Sequence, residues 1–306
     1  MGGDLSYRWG ITTSGQGDSG GEFLAGQLAA EYGAVFVPRQ GRGLASLRRE
    51  YRLDFLVVLD RENRLFLTEP PLRWHPSMAV PRLRQAAAGG GDVFLTAAGI
   101  APGDQVLDCT LGLAADALLA AWAAGGERGA ETIGGQRAAE IAGGQRAAQV
   151  RAEAAGSVPD DGGAGRVLGL EASPIIALLT SWGLRWEAAR YDHKKTPLLA
   201  AAARIRVERA EAGAYLAAQP ADSWDVVYFD PMFQRGAYQS ASMNSLRPLA
   251  CYAPFDEAAL AAGLRVARKR LVVKERRFSP LFAQLGAQRI HQTKYGPIAY
   301  GVWEKG

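Results

Sequence analysis

Residues 106–116 read VLDCTLGLAAD. This pattern predicts a buried strand that ends at Asp108, a turn around Gly112 and a helix that begins near Ala114. In doubly wound α/β folds such a junction lies at the carboxyl edge of the sheet, where nucleotides bind. The turn lacks the G-x-G-x-x-G spacing of a pyrophosphate loop, and Asp108 would repel phosphate. A plain strand–helix turn is the alternative, but the acidic strand end favours a ligand that carries positive charge.

Short apolar strands alternate with helical patterns around this stretch. Beyond residue 100 the predicted strands span 105–108, 166–170, 204–207, 224–229 and 270–274, and the predicted helices span 114–124, 174–182, 213–218, 256–267 and 279–285. This alternation implies right-handed crossovers and a parallel sheet. Residues 287–294 and 298–304 flank Tyr295-Gly296-Pro297 and predict a terminal antiparallel hairpin. The order predicts an α/β protein with a class I (Rossmann-like) methyltransferase sheet, an analogy that concerns the fold alone.

The first 80 residues predict a small N-terminal α/β domain, and residues 81–306 hold the larger sheet. The predicted helices of the small domain are 22–32 and 44–51, and its strands are 34–37, 54–59 and 64–67. The break at Glu69-Pro70-Pro71 ends this unit, and a helix over 77–88 follows. The glycine-rich residues 15–21 are either a mobile terminus or an anion nest.

One segment interrupts the alternation. Residues 134–142 read GGQRAAEIA and residues 143–151 read GGQRAAQVR, a tandem near-copy. Two copies are too few for a solenoid. The surrounding stretch, residues 126–165, is therefore predicted to be a low-complexity surface insertion in the first crossover, partly helical or disordered. An arm that contacts RNA is the alternative.

Composition limits the class of protein. The 306 residues are 48% hydrophobic and 22% charged, which excludes a disordered chain. The most apolar stretch, residues 111–124, is interrupted by Asp116 and is too short to span a bilayer, and no secretory signal is visible. Two cysteines fit a reducing compartment, so a cytoplasmic protein is expected. Three widely spaced histidines predict no metal site, and the net charge of +4 is a mild tilt toward a polyanionic partner.

Glu171 closes the predicted strand at 166–170. In such folds an acidic residue at the end of the second strand accepts hydrogen bonds from the ribose, usually ~20 residues past the glycine turn. Glu171 lies much farther from Gly112 than that, which the insertion explains if it occupies the first crossover. Its place in the alternating pattern makes Glu171 a candidate ribose ligand.

The fourth predicted strand of the larger sheet ends in Asp230-Pro231-Met232-Phe233. The Asp230 carboxylate and the Pro231 carbonyl can accept hydrogen bonds from an exocyclic amine and align its lone pair with a methyl group on a sulfonium. Phe233 offers a face on which a base stacks, worth ~1–3 kcal/mol in stacking systems. Asp-Pro is also a common simple turn, but its place beside two acidic strand ends favours methyl transfer.

A series of motifs runs along nearly the whole chain outside the insertion. In order they are Thr12-Thr13-Ser14, His75-Pro76-Ser77-Met78-Ala79, Gly89-Gly90-Gly91-Asp92, DCTLGLAAD at 108–116, GLEASP at 169–174, YFDPMF at 228–233 and Val272-Val273-Lys274. This series resembles the S-adenosylmethionine-dependent small-subunit ribosomal RNA guanine-N2 methyltransferases, in particular their Gram-positive relatives. The D-P-M-F turn and the D-x-T-x-G-L-x-x-D loop are the most specific parts of the resemblance.

The resemblance implies a methyl donor and a set of site residues. S-adenosylmethionine would be the cofactor, and the acceptor would be the exocyclic N2 amine of a guanine. Pattern and resemblance together give the candidate cofactor-binding residues Asp108, Thr110, Gly112, Ala115, Asp116, Glu171, Ala172, Glu211, Ala212 and Asp230. Asp230, Pro231 and Phe233 are the candidate catalytic residues, and no metal is required.

Two departures from the family pattern bear on function. Ala114 stands where the family usually has a second glycine, and its Cβ could shift the loop and weaken cofactor binding. The family has a lysine-rich run after D-P-M-F, whereas residues 234–240 hold no lysine. The candidate phosphate contacts are Arg235, Arg247, Lys274, Arg276 and Arg277, each alternatively a solvated surface charge. His75 either roofs the cofactor pocket or is a hydrogen-bonded structural residue.

The sequence thus predicts an S-adenosylmethionine-dependent N-methyltransferase whose partner is ribosomal RNA or the small ribosomal subunit. Two alternatives stay open. One is the same transfer to another RNA or to a small-molecule amine. The other is a catalytically silent cofactor-binding protein that associates with RNA.

Overall fold

The computed structural model describes residues 7–15, 19–126, 165–191, 197–231 and 241–306. These residues form two β-sheets with helices packed against them. The tandem repeat at 134–151 lies outside the described residues, so its predicted character stays a prediction. Within the part of the chain that is described, no helix has the length and apolar character needed to cross a membrane.

The smaller sheet is built from the first 73 residues. Its strands are β1 (Trp9–Thr13), β2 (Val35–Phe36), β3 (Phe55–Leu59), β4 (Leu65–Leu67) and β5 (Leu72–Arg73), and its helices are α1 (Ser19–Tyr32) and α2 (Leu44–Glu50). The strand order is β2-β1-β3-β4-β5, in which β1 runs parallel to β2 and β3. The predicted turn between β3 and β4 joins an antiparallel pair. The sequence did not predict β1, because WGITT holds a glycine and two threonines and is not a short apolar run.

The larger sheet has seven strands in the order β11-β12-β10-β9-β6-β7-β8. They are β6 (Val106–Asp108), β7 (Val167–Glu171), β8 (Ile205–Arg209), β9 (Trp224–Phe229), β10 (Ala267–Arg276), β11 (Arg289–Gln292) and β12 (Ile298–Glu304). The first five run parallel, and β11 and β12 form an antiparallel hairpin beside β10. The predicted class I sheet with a terminal hairpin is therefore confirmed.

The helices of this part connect and cover the strands. They are α3 (Ala79–Ala87), α4 (Val93–Ala98), α5 (Ala115–Gly125), α6 (Pro174–Trp182), α7 (Ala188–Tyr191), α8 (Leu198–Ala202), α9 (Ala212–Ala218), α10 (Ala241–Leu246), α11 (Glu257–Val266) and α12 (Leu281–Gln284). One π-helical turn, Gly183–Glu187, joins α6 to α7. The bounds of α6 match the predicted helix, because Ser173 caps it and Pro174 opens it.

Helix α6 is buried on every side because it packs against both sheets. All nine of its residues are buried. It contacts β7 and β8 of the larger sheet and β4 of the smaller one. Two hydrogen bonds add to this packing: Tyr7 Oη lies 2.9 Å from Ser173 Oγ, and Trp182 Nε1 donates to the Asn63 carbonyl at 2.7 Å. The smaller sheet is thereby fastened to the helix that follows Glu171.

Trp74 makes a second connection between the two parts. Its side chain is fully buried, and its Nε1 donates to the Leu113 carbonyl at 3.2 Å, in the turn after Gly112. The indole lies directly against Gly183, where an added Cβ would stand 2.0 Å from Trp74 Cγ. The tight contact explains why a glycine is required at this position.

Gly183→Ala is expected to lower the free energy of unfolding by about 2 kcal/mol, since overpacking beside a rigid ring forces the backbone apart. Urea denaturation measures this loss. The matched control is Gly91→Ala, because nothing lies within 4 Å of a Cβ at Gly91. Equal midpoints for the two variants would show that the indole is free to move aside.

Candidate functional site

Three acidic residues follow neighbouring strands of the larger sheet. Asp108 ends β6, Glu171 ends β7, and Asp230 comes directly after β9. Strand β6 lies between the other two and runs parallel to both. Parallel strands present their carboxyl ends at one edge, so the three carboxylates are brought to the same edge of the sheet, as the sequence predicted.

The glycine turn is anchored by Glu171. Gly112 adopts a left-handed conformation with a φ of +53°, and its N–H donates to Glu171 Oε2 at 3.0 Å. The second carboxylate oxygen accepts from the Ser173 N–H at 2.8 Å. Burial raises the pKa of Glu171 to about 7, and the N–H groups of Ser173, Gly112 and Ala172 oppose that rise. These three N–H groups occupy three of the roughly four lone-pair positions of the carboxylate, which leaves one for a predicted ribose hydroxyl.

Asp108 is buried beneath the turn. Its Oδ1 accepts from the Thr110 N–H at 3.0 Å. Burial raises the pKa of Asp108 to about 8; the Asp116 and Asp230 carboxylates add to this rise, whereas the Thr110 N–H opposes it. Asp108 is thus protonated at neutral pH in the free protein. A cationic group bound beside it would favour the ionised form.

Asp116 is enclosed in a network of charged groups. Its Oδ1 accepts from Arg82 Nη1 at 2.6 Å, and its Oδ2 accepts from Tyr228 Oη at 2.7 Å and from Lys274 Nζ at 3.0 Å. Burial works against ionisation, but Lys274 and Arg82 outweigh it and lower the pKa of Asp116. Because protein groups hold both oxygens of this carboxylate, the predicted cofactor contacts at Asp116 and neighbouring Ala115 stay predictions.

Asp230 is held by two further contacts. Its N–H donates to Thr110 Oγ1 at 2.5 Å, which joins the Asp-Pro turn to the glycine turn. Its Oδ2 accepts from Lys274 Nζ at 2.7 Å. The Asp230 side chain is 31% exposed, whereas that of Asp116 is 6% exposed. Lys274 therefore bridges a buried carboxylate and a partly exposed one.

The sequence predicts Lys274 as a phosphate contact and does not indicate that it bridges two carboxylates. The available signal was a lysine directly after the apolar pair Val272-Val273 at the end of a core strand. Its ammonium is paired with two carboxylates in the structure. A phosphate contact at Lys274 stays a prediction.

Glu211 and Ala212 lie beyond the end of β8. The exposed Glu211 carboxylate caps α9, where it accepts from the N–H groups of Gly213 at 3.3 Å and Ala214 at 3.1 Å. The Ala210 N–H donates to the Glu171 carbonyl at 3.2 Å, so this loop adjoins the ribose candidate. A cofactor contact here stays a prediction, as does the one at Ala172.

Ala114 adopts a φ of +67°, a conformation that glycine would hold with less strain. Its side chain is fully buried in the core that also contains Leu118, so the methyl group packs inward. This orientation gives a reason for an alanine at the position. The predicted weakening of cofactor binding by Ala114 stays a prediction.

The remaining candidates are spread more widely. Phe233 and Arg235 lie outside the described residues, while Pro231 is partly buried beside Asp230. Arg247 follows α10, and Arg276 is exposed at the end of β10. His75 is exposed; its Nδ1 accepts from the Ser77 N–H at 2.8 Å. Among the described ranges, no group of three His, Cys, Asp or Glu side chains is arranged to hold a metal ion.

Comparisons of sequence place this chain among known proteins. Residues 163–296 match the model of a family described as "Putative SAM-dependent methyltransferase". The chain is 30% identical over 280 residues to YpiP of Bacillus subtilis, an uncharacterized protein, and the match covers 91% of this chain and 92% of YpiP. It is 36% identical over 119 residues to "Ribosomal RNA small subunit methyltransferase J" of Laribacter hongkongensis, which covers 38% of this chain and 41% of that enzyme.

A comparison of structure agrees on the fold. The SAM-dependent methyltransferase NGO1261 of Neisseria gonorrhoeae superposes with a TM-score of 0.55. The two chains share 16% sequence identity, and the superposition covers 96% of this chain and 95% of the other. At that identity the likeness concerns the fold alone.

Proposed function

This chain belongs to the family of S-adenosylmethionine-dependent methyltransferases, and from that premise we propose that it methylates the exocyclic N2 amine of a guanine in small-subunit ribosomal RNA. S-adenosylmethionine is the methyl donor. When bound, it supplies an electrophilic methyl group on a positively charged sulfur. The proposal rests chiefly on one observation at the carboxyl edge of β9: the partly exposed Asp230, whose N–H donates to Thr110 Oγ1 and whose carboxylate accepts from Lys274 Nζ.

Asp230 would orient the acceptor. A carboxylate accepts hydrogen bonds and does not donate them when ionised, so it selects an N–H group over a carbonyl. Together with the Pro231 carbonyl it would hold the amine with its lone pair directed at the methyl group, which supplies the alignment that the transfer needs. The bound donor would supply its methyl group to this nitrogen. The amine then loses a proton to Asp230 and on to water.

Glu171 and Asp108 would hold the donor. Glu171 keeps one lone-pair position for a ribose hydroxyl, and its bond to the Gly112 N–H keeps the turn in place. Asp108 is buried and raised in pKa, which fits a carboxylate that waits for a cationic partner. These two observations support the assignment of both residues to the cofactor.

The affinity for S-adenosylmethionine is expected to rise between pH 6 and 8. The pKa of Glu171 is about 7 and that of Asp108 about 8 in the free protein, so both carry protons at the acid end of this range. Binding favours the ionised forms and expels those protons, and each proton released changes Kd by about tenfold per pH unit. Calorimetry in buffers of different ionisation enthalpy measures both Kd and proton release.

Asp108→Asn is the control for this pH dependence. The amide has the shape of the carboxyl group and does not titrate, so the variant should release fewer protons on binding. A Kd that is constant across the range in the unmodified protein would contradict the assignment of both carboxylates to the donor.

The choice of ribosomal RNA draws support from the relative in Laribacter hongkongensis, whose name gives it that substrate. The test is methyl incorporation from labelled S-adenosylmethionine into undermethylated small ribosomal subunits, free RNA and metabolite pools. Nuclease digestion and mass spectrometry then identify the product. N2-methylguanosine from the small subunit supports the proposal. Label that appears only in the metabolite pool, or in a different nucleoside, would contradict it.

A further inference from the structure

Two aromatic side chains stand out on the surface. Phe278 is 87% exposed and Tyr295 is 85% exposed, the highest values for large apolar side chains in the described part of the chain. Phe278 follows the end of β10, and Tyr295 lies in the turn between β11 and β12. Arg276 on β10 is paired with Ile298 on the antiparallel β12, so both loops lie at the carboxyl edge of β10. This is the edge at which Lys274 contacts Asp230.

Arg277 holds the two loops together. Its backbone N–H donates to the Pro297 carbonyl at 2.8 Å, and its guanidinium donates to the Lys294 carbonyl. Within the turn, the Gly296 N–H donates to Thr293 Oγ1 at 2.8 Å. The backbone that carries both rings is therefore ordered before any partner arrives, which lowers the entropic cost of binding.

Each ring has a cation beside it. The Arg277 guanidinium lies 5.1 Å from the Phe278 ring centre, and Lys294 Nζ lies 5.2 Å from that of Tyr295. The exposed Arg276 adds a third positive charge next to this pair. An acidic neighbour, Glu275, places its Oε1 3.6 Å from Arg276 Nε. Exposed rings interleaved with cations are typical of surfaces that bind single-stranded nucleic acid, where bases stack and phosphates are neutralised.

The chemistry of the patch favours an RNA strand over a protein partner. Three cations, Arg276, Arg277 and Lys294, stand beside the two rings, and a phosphate backbone neutralises such a cluster. Stacking on a protein ring requires a base that is not already stacked in a duplex. Phe278 lies four residues past Lys274, within about 14 Å along an extended chain, so neighbours of a base at Asp230 are in reach.

We propose that Phe278 and Tyr295 form a stacking platform for two unpaired bases of a single-stranded RNA segment, with its phosphates at Arg276, Arg277 and Lys294. The proposal rests on the proposed function in one respect: the segment is the one that carries the target guanine. The substrate that such a platform would bind is an accessible single strand and not a duplex.

The test measures binding of a fluorescein-labelled RNA of about 12 nucleotides, mixed in sequence, as a single strand and as a blunt duplex. Phe278→Ala and Tyr295→Ala are each expected to weaken single-strand binding about tenfold and to leave duplex binding unchanged. Phe278→Trp and Tyr295→Phe should retain the affinity, because a ring is kept.

Arg276→Gln should reduce the salt dependence of binding instead. Phe23→Ala removes an exposed ring on α1 and serves as the matched control.

The outcomes separate the platform from the proposed function. If the double variant Phe278→Ala/Tyr295→Ala binds the single strand as the unmodified protein does, the platform is wrong. An equal loss for single strand and duplex also overturns it, since stacking would not distinguish them that way. If the rings are needed for single-strand binding but no RNA is methylated, the platform stands and the proposed function fails. Thermal unfolding of each variant checks that it is folded. We expect all of them to fold, because both rings are highly exposed.

Discussion

Replacing Asp230 by alanine is expected to lower kcat by about 100-fold or more while the protein stays folded. The substitution removes the acceptor that aligns the substrate amine, and misalignment of the reacting atoms has a large effect on rate. The fold is expected to tolerate the change, because Lys274 keeps its contact with Asp116 at 3.0 Å and the Asp230 side chain is partly exposed. Single-turnover methylation under saturating cofactor measures the chemical step directly.

Two further variants sharpen this test. Asp230→Asn retains one carbonyl oxygen as an acceptor and should lose less activity than the alanine variant. Glu257→Ala removes an exposed acidic residue in the first turn of α11 and should leave kcat unchanged. Full activity of Asp230→Ala would refute the assigned role, and a loss of cofactor binding in that variant would place Asp230 with the donor instead of the acceptor.

Lys274→Met is expected to lower the free energy of unfolding by about 3 kcal/mol at neutral pH. The substitution leaves the buried Asp116 and the neighbouring Asp230 without the ammonium that bridges them, and breaking a buried ion pair from one side typically costs 3–5 kcal/mol. The lower end of that range is expected because Arg82 and Tyr228 still bond to Asp116. Urea denaturation measures the difference.

The effect of Lys274→Met should depend on pH in a defined direction. The pKa of Asp116 is lowered in the folded protein, so its ionised form stabilises the fold above the unfolded value near pH 4, and this stability is lost as the pH falls through the folded value. Without Lys274 the folded pKa rises, and the carboxyl groups become protonated at a higher pH. The two proteins should therefore converge in stability under acid conditions.

Lys269 provides the matched control. It lies on the same strand and pairs with Asp104, but its side chain is 43% exposed. Lys269→Met should change stability by about 1 kcal/mol or less, since solvent screens the pair. Lys274→Arg keeps the positive charge and should recover part of the loss. If both methionine variants were equally stable at neutral pH, Lys274 would have no special place in the network.

Most of the larger sheet could be predicted from sequence because each strand is a short apolar run between helical patterns. Strand β1 could not, because its sequence WGITT holds a glycine and two threonines and is therefore not an apolar run. Helix α4 was not predicted, because it is short and directly follows the helix-breaking run Gly89-Gly90-Gly91 and Asp92. Its start was nonetheless marked by Asp92, whose carboxylate accepts from the Leu95 N–H at 3.1 Å.

The site divides in a similar way. Asp108, Glu171 and Asp230 could be placed together because parallel strands end at one edge, which is a rule of topology. The bridge made by Lys274 could not, because it joins β10 to a helix residue 158 positions away. Such a contact depends on the register of β9 and β10 and on the packing of α5, which no local pattern encodes. The same holds for Arg82, which reaches Asp116 from α3.

The packing of α6 has a consequence for how the protein can be divided. All nine residues of this helix are buried, so none of its faces is adapted to solvent. Removing the smaller sheet from the chain would therefore expose an apolar surface next to Glu171. The smaller sheet is therefore a fixed part of the fold and not a separable domain. Gene fusions and truncations that separate the two sheets should therefore yield aggregates.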